Sequence, residues 1–376
     1  MTSLETLRVG IIGAGGIAQN HHIPSYLACE NVEVVAACDV SDAALESVKD
    51  RYGVEALLHD YQELIALDGL DIVSVCTSND LHYPVVMSAI EQGLDIYCEK
   101  PMALNHAEAI EMHDAAVKAG IKTGVNFSHR RTPGAMLAKE IIDTGALGQI
   151  TYISAVYSAG RKGYAEGQGS WRNMVDKAGF GGLGDMGSHM LDMMLWWFGC
   201  GVDGVASQMC TYVPERISRY TGEPMKVTTE DQGTVLLSYD NGAMGYLLGG
   251  YIFTGRGYDQ RVEVYGSEGG LMYDQKRPYE LDVCLPDEIL SPYHVLRDGG
   301  TSQAPYTTIL VPERLQGALD LERPPRRTVL MDWIDAYRSG GPIESLPTFS
   351  EGLRVQEILE GVRRASGSRC WISLPL

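Results

Sequence analysis

Asp185 and His189 lie four residues apart in the run Gly184-Asp185-Met186-Gly187-Ser188-His189, so a helix here sets a carboxylate and an imidazole on one face. A carboxylate beside an imidazole fixes its tautomer and raises its basicity, as a general base requires. Structural roles stand beside this reading: Asp185 suits a helix cap, and His189 a hydrogen-bonded core position. Asp192 extends the stripe to two acids and one histidine, a set that suits a divalent ion. No second His or Cys cluster accompanies it, and no metal is expected. Lys100 follows the apolar run Leu94–Cys98, within Glu99-Lys100-Pro101. An ammonium at a strand end polarises or deprotonates an alcohol and stabilises a developing alkoxide. The chemistry on offer is oxidation of a secondary alcohol, with His189 taking the hydroxyl proton.

Such a reaction needs a hydride acceptor, and residues 8–20 supply a place to bind one. The run Val9–Ile12 reads as a buried parallel strand that enters Gly13-Ala14-Gly15-Gly16-Ile17-Ala18. This is a G-x-G-x-x-A turn opening a helix. Gly13 permits the tight turn, Gly15 lets the backbone approach a pyrophosphate, and Ala18 lets helix lie on strand. Free N–H groups at the helix start then face the phosphates. A second apolar run, Val32–Cys38, ends in Asp39, which is 24 residues after Gly15. An acid at about that distance holds the ribose hydroxyls and repels a 2′-phosphate, so NAD is expected over NADP.

After Asp39 the chain alternates helix and strand. Helices are expected from Ser41-Asp42 to Tyr52, at Tyr61–Leu67, from Leu81 to Gln92 and from Asn105 to Ala119. Strands are expected near Val54–Leu58, Asp71–Cys76, Leu94–Cys98 and Lys122–Asn126. Repeated β-α units define a doubly wound parallel sheet, whose ligands gather at the carboxyl ends of its strands. Those ends are Gly13, Asp39, Thr77-Ser78-Asn79, Glu99-Lys100 and Asn126. From Ile150 the texture changes to successive strand-like runs, with a hairpin signal at Asp240-Asn241-Gly242. One long helix is expected from Gly184 to Phe198, irregular structure over 277–327, and helices near Thr328–Ser339 and Ser350–Ala365. The fold class is α/β: a Rossmann unit followed by an α+β unit with a large, mostly antiparallel open sheet.

These stretches together resemble the Gfo/Idh/MocA oxidoreductases, relatives of glucose-fructose oxidoreductase and inositol dehydrogenase. The resemblance rests on Gly13–Ala18, Ser78-Asn79-Asp80-Leu81-His82, Glu99-Lys100-Pro101 and Gly179-Phe180-Gly181-Gly182-Leu183-Gly184-Asp185-Met186-Gly187-Ser188-His189. Phe349–Arg354 through Leu374-Pro375 is similar to that family's closing helix and strand, so the likeness spans nearly the whole chain. One departure is Phe180, which interrupts the family's glycine triplet. The resemblance implies that Lys100, Asp185 and His189 are catalytic. It implies cofactor contacts from Gly13, Gly15, Gly16, Ile17, Asp39, Thr77, Ser78, Asn79, His82, Glu99, Lys100 and Asn126. On the substrate side it implies Lys100, Asn126, Trp171, Arg172, Asp185 and His189, with Tyr164 a loop residue placed near Trp171.

At 376 residues the chain exceeds one ordinary core, and two domains are expected, at 1–127 and 128–376, with 345–376 returning toward the first. A net charge of −19 argues against nucleic acid or an anionic membrane as partner. Eight cysteines without a C-x-x-C pair read as reduced thiols of a cytoplasmic protein. No apolar run reaches membrane-spanning length. The composite expectation is an NAD-dependent dehydrogenase of a sugar, polyol or sugar derivative. It assembles as a homodimer or homotetramer through the second-domain sheet, where Leu236-Leu237 and Tyr246-Leu247-Leu248 put apolar residues on both faces. Two other functions remain open: a redox-neutral enzyme that oxidises a sugar transiently, and a non-enzymatic NAD-sensing protein.

Overall fold

A computed structural model describes residues 6–160, 167–298, 306–316 and 327–376. These form two compact units, one from 1–128 with 321–356 and the other from 129–320 with 357–376. The returning segment therefore begins earlier than 345, and the last twenty residues belong to the second unit.

The first unit is built on six parallel strands: β1 Leu7–Ile12, β2 Val32–Cys38, β3 Ala56–Leu58, β4 Ile72–Val75, β5 Asp95–Cys98 and β6 Thr123–Val125. Their order is β3-β2-β1-β4-β5-β6, the doubly wound arrangement expected. The four residues of β4 are buried, which is why three of them are branched apolar residues and the strand shows no alternation with exposed polar ones. The unit's helices lie where expected to within one or two residues, the one at Tyr61 ending at Ile65 and the next spanning His82–Glu91. Ser41 accepts from the Ala44 N–H, Asn105 accepts from the Glu108 N–H, and Gly53 closes the Asp42–Tyr52 helix at φ 71°. The helix Val329–Ser339 belongs to the same unit and carries Trp333 into its core. The indole N–H donates to the Thr123 carbonyl at 3.0 Å, and the ring meets Tyr97 edge-on at 5.6 Å.

Among the described residues, the second unit is built on a ten-stranded sheet. In chain order its strands are β7 Ile150–Ser158, β8 Val202–Cys210, β11 Gln232–Tyr239, β12 Met244–Gly250, β13 Asp259–Gly266, β14 Gly270–Asp274, β15 Glu280–Cys284, β16 Val295–Arg297, β17 Thr307–Leu310 and β18 Ile372–Ser373. A separate small hairpin pairs β9 Glu215–Ile217 with β10 Pro224–Lys226. In the large sheet every pairing is antiparallel except β7 with β12. Helices Pro133–Asp143 and Ser188–Phe198 cover one face, joined where the Trp197 indole donates to the Ala135 carbonyl at 3.2 Å. The other face carries Leu236, 48% exposed, and Met244, 63% exposed.

Two local expectations need correction, and the turn of a third element can be specified. The described part of 277–327 is not irregular: β15, β16 and β17 extend the sheet, each too short for its alternation to stand out between prolines. The Asp240-Asn241-Gly242 hairpin is present as expected, and of its loop residues only Gly242 has positive φ (83°). Gly242 N–H bonds the Tyr239 carbonyl and Tyr239 N–H bonds the Ala243 carbonyl, giving a three-residue loop with glycine at the left-handed position. The helix expected from Gly184 opens instead as a π turn, Leu183–Gly187, before α-helix Ser188–Phe198.

Truncating Trp333 removes a fully buried indole from the first unit. Trp333→Ala should cost about 3–5 kcal/mol of unfolding free energy in a denaturant titration. A loss below about 1 kcal/mol would show that this helix does not support the sheet.

Candidate active site

In the first unit the turn after β1 is shaped by contact, not only by flexibility. Gly13 has φ 90°, and a Cβ there would lie 2.7 Å from the Cys76 carbonyl. A Cβ on Gly15 would meet nothing within 4 Å, so that side of the loop is open space for a bulky phosphate ligand. The helix that follows runs from Gly16 to Leu27 and widens to a π turn over Ala18–His22. Asp39 bridges the turn to the end of β2: one carboxylate oxygen accepts from Ala14 N–H at 2.8 Å, the other from Ser41 N–H at 2.9 Å. Each oxygen keeps a lone pair for a further donor. Beyond β4, Thr77 bonds the Ser78 carbonyl, Ser78 bonds the Asp80 carboxylate at 2.6 Å, and Asn79 is buried.

The wide turn also delivers His22 to a buried network below Lys100. Its Nδ1 meets Ser74 Oγ at 2.8 Å and its Nε2 meets Glu99 Oε1 at 2.9 Å. Asn126 Nδ2 donates to the same Glu99 oxygen at 2.6 Å, and its Oδ1 accepts from Tyr97 OH at 3.2 Å. The Lys100 N–H donates to the other Glu99 oxygen at 3.2 Å. Burial opposes charge on His22, but the Cys76 sulfur and the Glu99 carboxylate outweigh it and raise the imidazole to about 10. Burial opposes charge on Glu99 as well, and His22, Lys100 and Asn126 outweigh it to bring the carboxyl down to about 2. His82 lies fully buried, its Nδ1 3.1 Å from the Pro101 carbonyl oxygen and 3.3 Å from that of Met102, and burial holds it neutral.

In the second unit the π turn at Leu183–Gly187 has an identifiable cause. The Glu230 carboxylate accepts from the N–H groups of Gly181, Leu183 and Gly184 at 2.8, 3.0 and 3.4 Å. Phe180 is buried against Gly184, where a Cβ would come within 2.2 Å of it, and lies under the Arg363 guanidinium at 4.3 Å. The phenylalanine that interrupts the glycine run is thus a packing residue of this loop. Asp185 accepts from Tyr251 OH at 2.8 Å and pairs with Arg172 at 3.5 Å. Burial drives the Tyr251 phenol well up, so it stays protonated and donates.

Arg172 stacks on Trp171 at 4.3 Å within a 3-10 turn that Ser170 caps. With Tyr251, Tyr258, Ser170, Asn173 and Arg216 it lines an open cleft of about 270 Å³. His189 is 6% exposed, with the His129 ring at 4.1 Å and Tyr157 at 6.3 Å. Asp192 receives two guanidinium bonds from Arg130, at 2.8 and 2.5 Å, so the last acid of the stripe weighed for a metal is held in an ion pair. Tyr164 lies outside the described residues.

Several members of these networks carry no functional signal in the linear sequence: His22, Tyr157, Tyr251 and Glu230. One cue was present for His129: it opens a basic triplet, His129-Arg130-Arg131, directly after the last strand end at Asn126.

The fold and these two clusters define the class, a Rossmann dinucleotide-binding oxidoreductase with an α+β second unit. The chain belongs to the Gfo/Idh/MocA oxidoreductase family. The family model described as oxidoreductase family, NAD-binding Rossmann fold, matches residues 7–127, and the GFO/IDH/MocA C-terminal domain matches residues 136–272. Levoglucosan dehydrogenase of Pseudarthrobacter phenanthrenivorans is 27% identical, covering 99% of both chains. D-glucoside 3-dehydrogenase of Escherichia coli K12 is 35% identical over 199 residues, 53% of this chain and 56% of that one. The crystal structure of an oxidoreductase domain protein from Kribbella flavida superposes with a TM-score of 0.86 at 28% identity, covering 99% of this chain and 100% of that one. Among the described residues, no helix is long and apolar enough to cross a membrane.

The ion pair in the first unit has a defined pH signature. His22 adds stability that is complete below its ordinary 6.5 and lost as pH rises through about 10. Glu99 adds stability that is complete above its ordinary 4.5 and lost as pH falls through about 2. Unfolding free energy should therefore decline between pH 6.5 and about 10, and His22→Gln should flatten that decline. Equal slopes in the two proteins, measured by urea titration, would contradict the pairing.

Proposed function

We propose that the protein is an NAD-dependent dehydrogenase that oxidises a secondary alcohol of a sugar, polyol or sugar derivative. The observation that carries this reading is the acid–imidazole motif at a polar, aromatic cleft. Asp185 is bound by Tyr251 and Arg172, both of which line that cleft, and His189 follows one turn later. Tyrosine rings and a cation–carboxylate pair are groups that recognise a polyhydroxylated ring. The dehydrogenases of levoglucosan and glucosides among the relatives support the same class of substrate.

NAD, when bound, supplies the hydride acceptor. The open side of Gly15, with N–H groups at Gly16 and Ile17, takes the pyrophosphate. Asp39 accepts from the ribose hydroxyls with the lone pairs that Ala14 and Ser41 leave, and Thr77, Ser78 and Asn79 border the cofactor at the end of β4. Lys100, with its backbone pinned to Glu99, holds the reacting hydroxyl oxygen and stabilises its developing charge. His189 takes the hydroxyl proton. Asp185 orients the substrate together with Arg172 and Trp171. Asn126 and His82, whose polar atoms bond the Glu99 side chain and the Pro101 carbonyl, keep Lys100 in place. The outward face of the large sheet, with Leu236 and Met244 exposed, serves as the surface of a homodimer or homotetramer.

Incubation with a panel of sugars and polyols, followed at the NADH absorbance, should give one NADH per product. Many products per limiting NAD would favour the redox-neutral reading instead. Lys100→Met and His189→Ala should abolish turnover while NAD binding persists, and Asp185→Asn should be milder than His189→Ala. NAD should bind more tightly than NADP by about tenfold or more, roughly 1.4 kcal/mol. Equal affinities would remove the role given to Asp39. Light scattering at micromolar concentration should show an oligomer, and a strict monomer would contradict the assignment of the sheet face.

A further inference from the structure

His189 shares its surroundings with a second imidazole. His129, on the short 3-10 turn Ser128–Arg131, stands edge-on to it with ring centroids 4.1 Å apart and planes at 62°. Tyr157 on β7 borders both rings, at 5.2 Å from His129 and 6.3 Å from His189. Gln260, fully buried on β13, lies with its Oε1 2.8 Å from His129 Nδ1. An amide oxygen only accepts, so Nδ1 keeps its hydrogen, and Nε2 is the nitrogen that gains or loses a proton. The Gln260 amide nitrogen, 3.4 Å from Met190 Sδ, agrees with that orientation.

We propose that His129 is a positioning residue: it takes up the proton that would otherwise go to His189, and so keeps His189 an unprotonated base into acidic pH. This rests on the reading of His189 as the base. Two imidazoles this close titrate as a pair, because the first positive charge opposes the second. The first proton goes to His129 for two reasons. His189 is only 6% exposed, so burial penalises its charge, whereas His129 is half-buried. The Nδ1–H of His129 is held by an amide oxygen in both protonation states, and that hydrogen bond strengthens when the ring is charged.

The charged groups on the neighbouring elements are already matched. Asp185, before His189 in the chain, is bound by Tyr251 and Arg172. Asp192, on the same helix, is bound by Arg130. Asp259, beside Gln260 on β13, sits among Arg256, Arg261 and Lys276 at 2.8, 3.5 and 3.6 Å. The Tyr157 phenol is pushed up by burial and stays neutral. His129, with its ring centroid 4.1 Å from that of His189, is a titrating group in direct ring contact with it.

The test uses the full-length protein without substrate, labelled with 13C and 15N in its histidines and titrated by NMR. His129→Gln should raise the pKa of His189 by about one unit. His129→Asn serves the same purpose if the first variant folds poorly. His129→Arg places a fixed cation at the same position and should leave the pKa of His189 at or below its wild-type value. The acid limb of kcat/KM should move in the same directions for any alcohol the enzyme oxidises. A purely structural role would move the neutral and the cationic variants alike. A His189 pKa that stays put in both neutral variants, or that rises equally in His129→Arg, would overturn the proposal. Should no alcohol be oxidised by the wild type, the functional reading fails on its own, and the titration still decides whether the two rings are coupled.

Discussion

The first unit depends on a charge pair placed where charge is costly. His22 and Glu99 are both buried, and each alone would be driven neutral by its surroundings. Together, with Ser74, Asn126 and Tyr97 completing the hydrogen bonds, they tie the helix after β1 to the ends of β4, β5 and β6. This pins the backbone of Lys100, because Glu99 accepts from its N–H. The strand ends of a doubly wound sheet are otherwise loops, and a buried polar network is what makes a loop residue hold one position.

Both units use the same local device at their polar clusters, a helix whose opening turn is widened. In the first it spans Ala18–His22, and in the second Leu183–Gly187. Such turns shift the side chains that follow relative to a regular helix and often occur at functional positions. In the second unit the widening coincides with the Glu230 carboxylate bonding three N–H groups of the loop, so a half-buried acid has taken the place of an ordinary cap. Asp185 is then bound by Tyr251 and Arg172, while His129 and Tyr157 border the His189 ring.

What the sequence made legible follows from how local each constraint is. The β1 turn, Asp39 and the caps at Ser41, Asn105 and Gly53 depend on residues a few positions away, and their patterns survive in the linear order. The sheet class of the second unit was legible from its run of strands and the Asp240-Asn241-Gly242 turn. β15 and β17 were not, because strands of four or five residues flanked by prolines carry too little alternation. The π turn at 183–187 was hidden because Glu230 stands 46 residues beyond Gly184. His129 was hidden more deeply, since its hydrogen-bond partner Gln260 lies 131 residues away. A lone histidine after a strand says nothing until those distant segments are in place.

The chain order of the first unit bears on how the protein is made. Trp333 and its helix complete the packing of Tyr97 and Thr123, yet they are synthesised some two hundred residues after β6. On the ribosome the six parallel strands emerge early and wait for a closing segment that arrives only after nearly the whole second unit has been translated. Until then the incomplete sheet exposes apolar surface around Tyr97, the kind of surface that chaperones bind. Translation pace and chaperone supply therefore bear on the yield of folded protein, although neither has any part in the finished structure.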